Sequence, residues 1–184
     1  MKKVLVFSES SAAAEKIGEL LRAEDGYDLR AVSDLRAARS ADADALLLVL
    51  ASDPAACAKD VRTLALETTM GLAAVVREPL RAAAEEAFRG LGVFVLPSLG
   101  GKTLCLAVDM AVKSGERLRV LGSENVRLKE SIGDLKLIDR AKCALIQYLN
   151  MTEESAHRFI EKQAMDRRVS KREVALGILK TYES

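Results

Sequence analysis

The chain has 184 residues, of which 49% are apolar and 4% aromatic, and its formal net charge is +1. This length allows one domain of ordinary size and a smaller one, with a core built mostly from aliphatic side chains. No stretch matches a signal peptide or the roughly 20 apolar residues that span a bilayer, and the three isolated cysteines fit no disulfide or metal spacing. The sequence predicts a soluble, cytoplasmic protein without a metal or other cofactor.

Residues 1–114 alternate short apolar runs with amphipathic segments. The runs predict strands, and the segments have the apolar spacing of one helix face. This alternation is typical of an α/β doubly wound, five-stranded parallel sheet, whose sites lie at the carboxyl ends of the strands. The predicted strands are residues 3–7, 27–32, 45–50, 71–76 and 93–96. The predicted helices are residues 11–23, 56–66, 82–91 and 102–113.

The alternation stops near residue 115, and residues 116–149 predict one long helix of roughly 50 Å. Apolar residues with a period of seven follow this helix, and Asn125 lies near their seam. We expect a parallel dimeric coiled coil; the alternative is a helix that lies on its own domain. The stripe consists of Leu118, Leu121, Asn125, Leu128, Ile132 and Leu135.

Two capped helices follow the long one. Asn150 breaks the pattern, and Thr152 with two following glutamates is typical of an N-cap with an acidic first turn. Ser170 and Glu173 have the spacing of a capping box before the last helix. These helices and the end of the long one predict an all-α three-helix bundle. Residues 156–172 hold six basic and two acidic residues, so the bundle has a basic region.

Residues at the predicted strand ends carry a first resemblance. Glu9 follows the first strand, Val49 and Leu50 end the third, Arg77 follows the fourth and Leu96 ends the fifth. The element order resembles the receiver domain of two-component response regulators, which has an acid pair, an aspartate, a Ser/Thr and a Lys-Pro at these places. In that family the acids bind Mg²⁺, the aspartate is phosphorylated and the lysine contacts the phosphoryl group.

The resemblance implies a receiver scaffold whose usual chemistry is missing. Apolar Val49 or Leu50 cannot form an acyl phosphate, and Glu9 with Asp53 is a poor ligand set for Mg²⁺. We expect a pseudo-receiver that is not phosphorylated at the usual site and is controlled by a protein partner; Asp53 as a displaced acceptor is the alternative. An ion pair between Glu9 and Arg77 is a candidate replacement for the metal site.

Four stretches carry a second resemblance: residues 137–146 (LIDRAKCALI), 151–158 (MTEESAHR), 163–168 (QAMDRR) and 173–175 (EVA). They resemble the ANTAR domain of RNA-binding transcription antitermination regulators. That family has an Ala-Lys-Gly-x-Leu-Met core, a Ser/Thr-Glu-rich cap, an Ala-aromatic step, an Ala-Met pair and a final Val-Ala helix. Cys143 stands where the family usually has glycine, and His157 where it commonly has Tyr or Phe.

The second resemblance implies binding to hairpins in leader mRNA, which prevents formation of a terminator. Unstacked loop bases suit such recognition, and a homodimer would hold two hairpins at once. DNA or protein binding by the bundle is the alternative, and no enzyme is expected because the sequence has no nucleophile–base pair, phosphate loop or metal cluster. Tyr148 is a candidate for either stacking or the core. The predicted RNA-binding residues are Arg140, Lys142, Gln147, His157, Arg158, Lys162, Arg167, Arg168, Lys171 and Arg172.

These inferences divide the chain into three predicted parts. Residues 1–114 are the receiver-like domain, residues 115–136 the coiled-coil linker helix and residues 137–184 the RNA-binding three-helix domain. No membrane partner is expected.

Overall fold

The computed structural model describes residues 1–24, 26–97 and 100–182. The chain forms two compact units, Met1–Leu121 and Gly122–Ser184, and the division falls inside one long helix. Within the described ranges, no helix is both long and apolar enough to cross a membrane.

The first unit contains a five-stranded parallel sheet. Its strands are β1 (Lys2–Ser8), β2 (Tyr27–Val32), β3 (Ala45–Leu50), β4 (Gly71–Val76) and β5 (Val93–Pro97). The order across the sheet is β2-β1-β3-β4-β5, which confirms the predicted doubly wound fold. Every residue of β3 and β4 is buried, because these central strands are covered on both faces.

Helices pack on both faces of the sheet and enclose two apolar cores. One face carries α1 (Ser11–Arg22) and the beginning of α5 (Gly101–Leu149). The other face carries α2 (Leu35–Ala38), α3 (Ala58–Glu67) and α4 (Arg81–Ala87). The sequence pattern did not reveal α2, because four residues are too few to establish a helical period.

Gly115 does not interrupt the long helix, although the sequence pattern predicted separate helices over 102–113 and 116–149. Instead, α5 is continuous for 49 residues. A Cβ atom at Gly115 would lie 2.6 Å from the backbone nitrogen of Gly71 and 2.8 Å from the carbonyl oxygen of Thr69. Gly115 therefore permits the close approach of α5 to the beginning of β4. This packing outweighs the low helix propensity of glycine.

The second unit is a three-helix bundle made by the end of α5 with α6 (Glu153–Arg167) and α7 (Lys171–Tyr182). Asn150 ends α5 with a positive φ of 53°. The side chain of Thr152 accepts a hydrogen bond from the backbone N–H of Ser155, and that of Ser170 accepts one from Glu173, each at 3.2 Å. Both predicted caps are confirmed. Side chains of all three helices form the core: Ala141, Leu145, Ala156, Ile160, Ala175 and Leu179.

Candidate functional site

The carboxyl ends of β1, β3 and β4 meet at one edge of the sheet. The parallel register pairs Ser8 with Val49 and Val49 with Val75. Val49 and Leu50 are only 7% and 3% exposed and belong to the apolar cores on opposite faces. The two residues that the receiver resemblance aligns with the phosphorylated aspartate are therefore buried in apolar cores.

Glu9 joins two loops at this edge. Its carboxylate accepts hydrogen bonds from the backbone N–H groups of Ala51 and Ser52, both at 2.8 Å, and from Ser52 Oγ at 2.7 Å. Partial burial raises the pKa of Glu9, but these hydrogen bonds outweigh it and leave the pKa below its usual value. The ion pair considered between Glu9 and Arg77 does not form, because the carboxylate is directed at the Ser52 loop instead.

Asp53 also has a structural partner. Its side chain accepts a hydrogen bond from the backbone N–H of Ala55 at 3.0 Å and caps the short 3₁₀ turn Pro54–Ala56. Within the described ranges, no group of three or more His, Cys, Asp or Glu side chains could hold a metal ion. The Mg²⁺ of receiver domains does not fit the donors present here, since Glu9 and Asp53 are each occupied by loop backbone.

A cavity of about 200 Å³ opens at the same edge, between α1, β3, β4 and α5. Arg77 and Lys16 line it together with apolar side chains. Leu96, the last of the predicted degenerate positions, is partly buried and packs against the core on the α1 and α5 face.

Five of the predicted RNA-binding residues form ion pairs or charged contacts inside the second unit. Lys142 Nζ lies 2.9 Å from Asp139 and 3.1 Å from Glu153, and its side chain is only 15% exposed. Its hydrogen bond to Asp139, the larger effect, and its hydrogen bond to Glu153 raise the pKa of Lys142. Lys142 therefore links the end of α5 to the beginning of α6. The other pairs are His157–Glu161, Arg158–Glu154, Lys171–Glu161 and Arg172–Asp134.

Three other predicted cations have no ion pair or side-chain hydrogen bond among the described residues: Lys162, Arg167 and Arg168. We call them the unpaired cations, and all three are exposed. Arg140 has an interaction within the chain and does not belong to this group. Gln147, the uncharged candidate on α5, is exposed.

Arg168 has a strained backbone at the end of α6. Its φ is 54°, in the left-handed region that favours glycine. The N–H of Arg168 bonds to the carbonyl of Met165 at 3.2 Å, and the N–H of Val169 bonds to that of Ala164 at 3.0 Å. This is the Schellman arrangement, in which an arginine replaces the usual glycine.

A cleft of about 370 Å³ lies between the three helices of the second unit, and we call it the aromatic cleft. Tyr182 lines it and stacks against Tyr148, with ring centroids 5.3 Å apart and planes 19° apart. Tyr148 is 53% exposed, so it is not a core residue. The sequence did not suggest Tyr182, because only folding brings it beside Tyr148. The lining residues are Leu145, Leu149, Phe159, Gln163, Arg167, Val174, Gly177, Ile178, Thr181 and Tyr182.

The predicted heptad stripe is exposed along α5. Its apolar members, which lie in both units, are between 45% and 60% exposed, and Asn125 is also exposed. The long helix is therefore consistent with a coiled coil.

The class of protein follows from this combination of elements. The family model described as the ANTAR domain matches residues 127–179, so this part of the chain is an ANTAR domain, and a receiver-like unit precedes it. The chain is homologous to the transcriptional regulatory protein PdtaR of Mycobacterium tuberculosis, from strains CDC 1551 / Oshkosh and ATCC 25618 / H37Rv. Identity is 26% over 188 residues, covering 98% of this chain and 90% of each relative. Both resemblances inferred from the sequence are confirmed.

One solved structure has a weaker likeness. It is described as a fusion with a yeast Spc42 trimeric coiled coil, and it superposes with a TM-score of 0.47 at 19% identity. The alignment covers 71% of this chain and 96% of that chain. A likeness of this size carries no argument about fold or function.

Proposed function

We propose that the chain is an RNA-binding transcription antitermination regulator. Its ANTAR domain binds hairpins in leader mRNA and so prevents formation of a terminator. The protein would act in the cytoplasm, as a regulator and not as an enzyme. The observation that carries this proposal is the ANTAR match over residues 127–179 in a chain homologous to a transcriptional regulatory protein.

The unpaired cations are proposed to hold the RNA backbone. Phosphate contacts supply most of the salt-dependent affinity of nucleic-acid binding, and a cation without an intramolecular partner forms one without first breaking an ion pair. Within the part of the chain that the structure describes, Lys162, Arg167 and Arg168 meet that condition, whereas Lys142 and Arg158 are paired with acids. We infer that Lys142 mainly positions α6 against α5.

The aromatic cleft is proposed to take a loop base. Single-stranded RNA bases are commonly held by stacking on aromatic side chains and by hydrogen bonds to their edges. Tyr182 lines the cleft and stacks on the half-exposed Tyr148, so the pair offers a stacking surface at its side. Gln163 and Arg167 in the same cleft offer donors and an acceptor. His157 is not among the residues that line this cleft, and its Nε2 lies 3.3 Å from Glu161.

The heptad stripe is proposed to form a parallel homodimer. Leu118, Asn125 and Ile132 occupy the a positions of the repeat, and leucines occupy the d positions. In a parallel pair Glu124 at g then faces Lys129 at e of the second copy, an attractive pairing that favours this orientation. The dimer brings two ANTAR domains together and raises the effective concentration for a second hairpin.

The receiver-like unit is proposed to be a pseudo-receiver that is gated by a protein partner. This is supported by the apolar acceptor position at Val49 and Leu50 and by the structural use of Glu9 and Asp53. Treatment with acetyl phosphate and Mg²⁺ should leave the mass of the intact protein unchanged. A gain of one phosphoryl group that is lost in Asp53→Asn would establish Asp53 as the acceptor instead.

The central test is a filter-binding titration of the full chain with a two-hairpin leader RNA and with a matched DNA duplex. We expect preference for the RNA and a roughly tenfold loss of affinity in Arg167→Ala. Tyr148→Leu should weaken binding by about fivefold or more, because a stacking contact is lost. Arg62→Ala, which removes an exposed arginine of α3, is the matched control and should have no effect. Equal affinity for RNA and DNA would favour a general nucleic-acid binder, and no RNA binding would refute the proposal.

A further inference from the structure

The cavity at the carboxyl edge of the sheet combines an apolar floor with basic side chains. Its volume is about 200 Å³, and its apolar lining includes Ile17, Leu20, Val75 and Leu104. In doubly wound folds, ligands bind outside the carboxyl ends of the strands. The cavity therefore occupies the position in the fold where a small ligand is expected, and neither the RNA-binding proposal nor the receiver resemblance assigns it a ligand.

The charge at this cavity is opposite to that of a receiver site. Among the described residues, Lys16 and Arg77 line it and no acidic side chain does, and neither of these two side chains has an ion pair or a hydrogen bond. Glu9 does not line the cavity, and its carboxylate is held by the backbone N–H groups of Ala51 and Ser52. Two cations beside an apolar floor favour an anionic ligand with an apolar body over a metal ion or an uncharged molecule.

Ser10 adds a polar group whose direction is controlled by the fold. It lines the cavity and is the N-cap of α1, where its side-chain oxygen accepts a hydrogen bond from the N–H of Ala13 at 3.5 Å. The hydroxyl hydrogen is left as a donor for an anionic oxygen. The cavity thus offers one hydroxyl and two cations to the head of a ligand.

The volume sets the size of the apolar body. Cavities of about 150 Å³ accept benzene, and sites for drug-sized ligands begin at about 300 Å³. A space of about 200 Å³ therefore suits a single aromatic ring or a short branched chain with its charged group at the mouth. A nucleotide is too large, and inorganic phosphate leaves the apolar floor uncovered.

We propose that this cavity binds a small organic carboxylate with an aromatic or branched aliphatic body. Arg77 and Lys16 hold the carboxylate, Ser10 donates a hydrogen bond to it, and the body covers Val75, Leu104 and their apolar neighbours. This site goes beyond the proposed RNA-binding function and does not depend on it, because all of its residues lie in the first unit.

The test is isothermal titration of the full-length chain with benzoate and with 3-methylbutanoate. We expect saturable binding of at least one of them, with at least tenfold weaker binding of benzyl alcohol, which lacks the charge, and of acetate, which lacks the body. Arg77→Gln should weaken binding roughly tenfold, because a charged hydrogen bond is lost. Arg62→Gln, at an exposed arginine outside the cavity, should bind as the wild type does.

A second variant tests the location. Ala13→Met keeps both cations and fills the cavity, so it should abolish binding while circular dichroism confirms that the chain is folded. Because Arg77 is exposed, Arg77→Gln should fold, and it tests the site even if Ala13→Met does not fold. The proposal is overturned if neither carboxylate binds, if acetate binds as tightly as benzoate, or if Arg77→Gln binds unchanged.

Discussion

Glu9 shows how a single residue of a degenerate site acquires a structural role. Its carboxylate accepts three hydrogen bonds from Ala51 and Ser52, which tie the loop after β1 to the loop after β3. An acid that would bind metal in a receiver holds the edge of the sheet in this chain. The loops at this edge of the sheet are therefore organised by hydrogen bonds to Glu9.

Replacement of Glu9 tests this role through pH. Because the folded pKa of Glu9 is lowered, its contribution to stability is complete above the usual glutamate pKa of about 4.3 and is lost as the pH falls through the lowered value. Glu9→Gln should cost about 1 kcal/mol at pH 7, and this difference should shrink below pH of about 4. Urea unfolding over this pH range measures it, with Glu15→Gln of α1 as the control. A pH-independent difference would contradict the assignment.

Arg168 has both a left-handed backbone conformation and an exposed charge. Arg168→Gly should raise the free energy of unfolding by about 1 kcal/mol, because glycine adopts a φ of 54° without strain. The same change should weaken RNA binding severalfold, since an unpaired cation is lost. Denaturant unfolding and RNA titration of one variant measure both effects. Arg168→Lys should keep the affinity without the gain in stability, and unchanged RNA affinity in Arg168→Gly would remove Arg168 from the interface.

At the scale of elements, α5 has different surroundings along its length. Gly115 lies against the backbone before β4, whereas an added Cβ at Gly122 meets nothing within 4 Å. The two glycines of one helix therefore provide a matched comparison of packing with helix propensity.

Gly115→Ala should lower the free energy of unfolding by about 1–3 kcal/mol, because its Cβ would overlap the backbone of Gly71 and Thr69. Gly122→Ala should raise it by about 0.5–1 kcal/mol, since alanine favours an exposed helix interior. Guanidinium unfolding of both variants measures the contrast. Equal effects of the two changes would show that Gly115 is not packed as described.

The exposed stripe of α5 makes a prediction about association. Leu128 in the stripe and Val126 beside it are 58% and 57% exposed, so a lysine costs the isolated chain little at either position. Leu128→Lys should weaken dimerisation at least tenfold by placing a charge in the seam, and Val126→Lys should leave it unchanged. Sedimentation velocity measures both. Loss of the dimer in both variants, or in neither, would place the interface elsewhere.

At the scale of the whole molecule, dimerisation and RNA binding are expected to reinforce each other. Leu128→Lys should lower the affinity for a two-hairpin RNA to that for a single hairpin, because the second contact is no longer intramolecular. Its affinity for one hairpin should stay that of the wild type, since Leu128 is outside the aromatic cleft. Filter binding with both RNAs measures the ratio, and an unchanged ratio would separate RNA binding from the dimer.

The sequence alone determined most of the architecture of this protein. β2, β3 and β4 have the bounds that their apolar runs predicted, and the caps at Thr152 and Ser170 formed as predicted, because these features depend on neighbouring residues. The ANTAR resemblance was also readable, since its pattern lies in short stretches with helical spacing.

Only the tertiary structure decided which charged and aromatic side chains are paired within the chain and which are exposed. Whether Lys142 or Arg167 is unpaired depends on acids from other helices, and Tyr182 meets Tyr148 only when the bundle closes. Gly115 is a packing residue solely because β4 begins beside it. Patterns along a chain report periods of three to four residues or of two, whereas charge pairing and close backbone contact join residues that are distant in sequence.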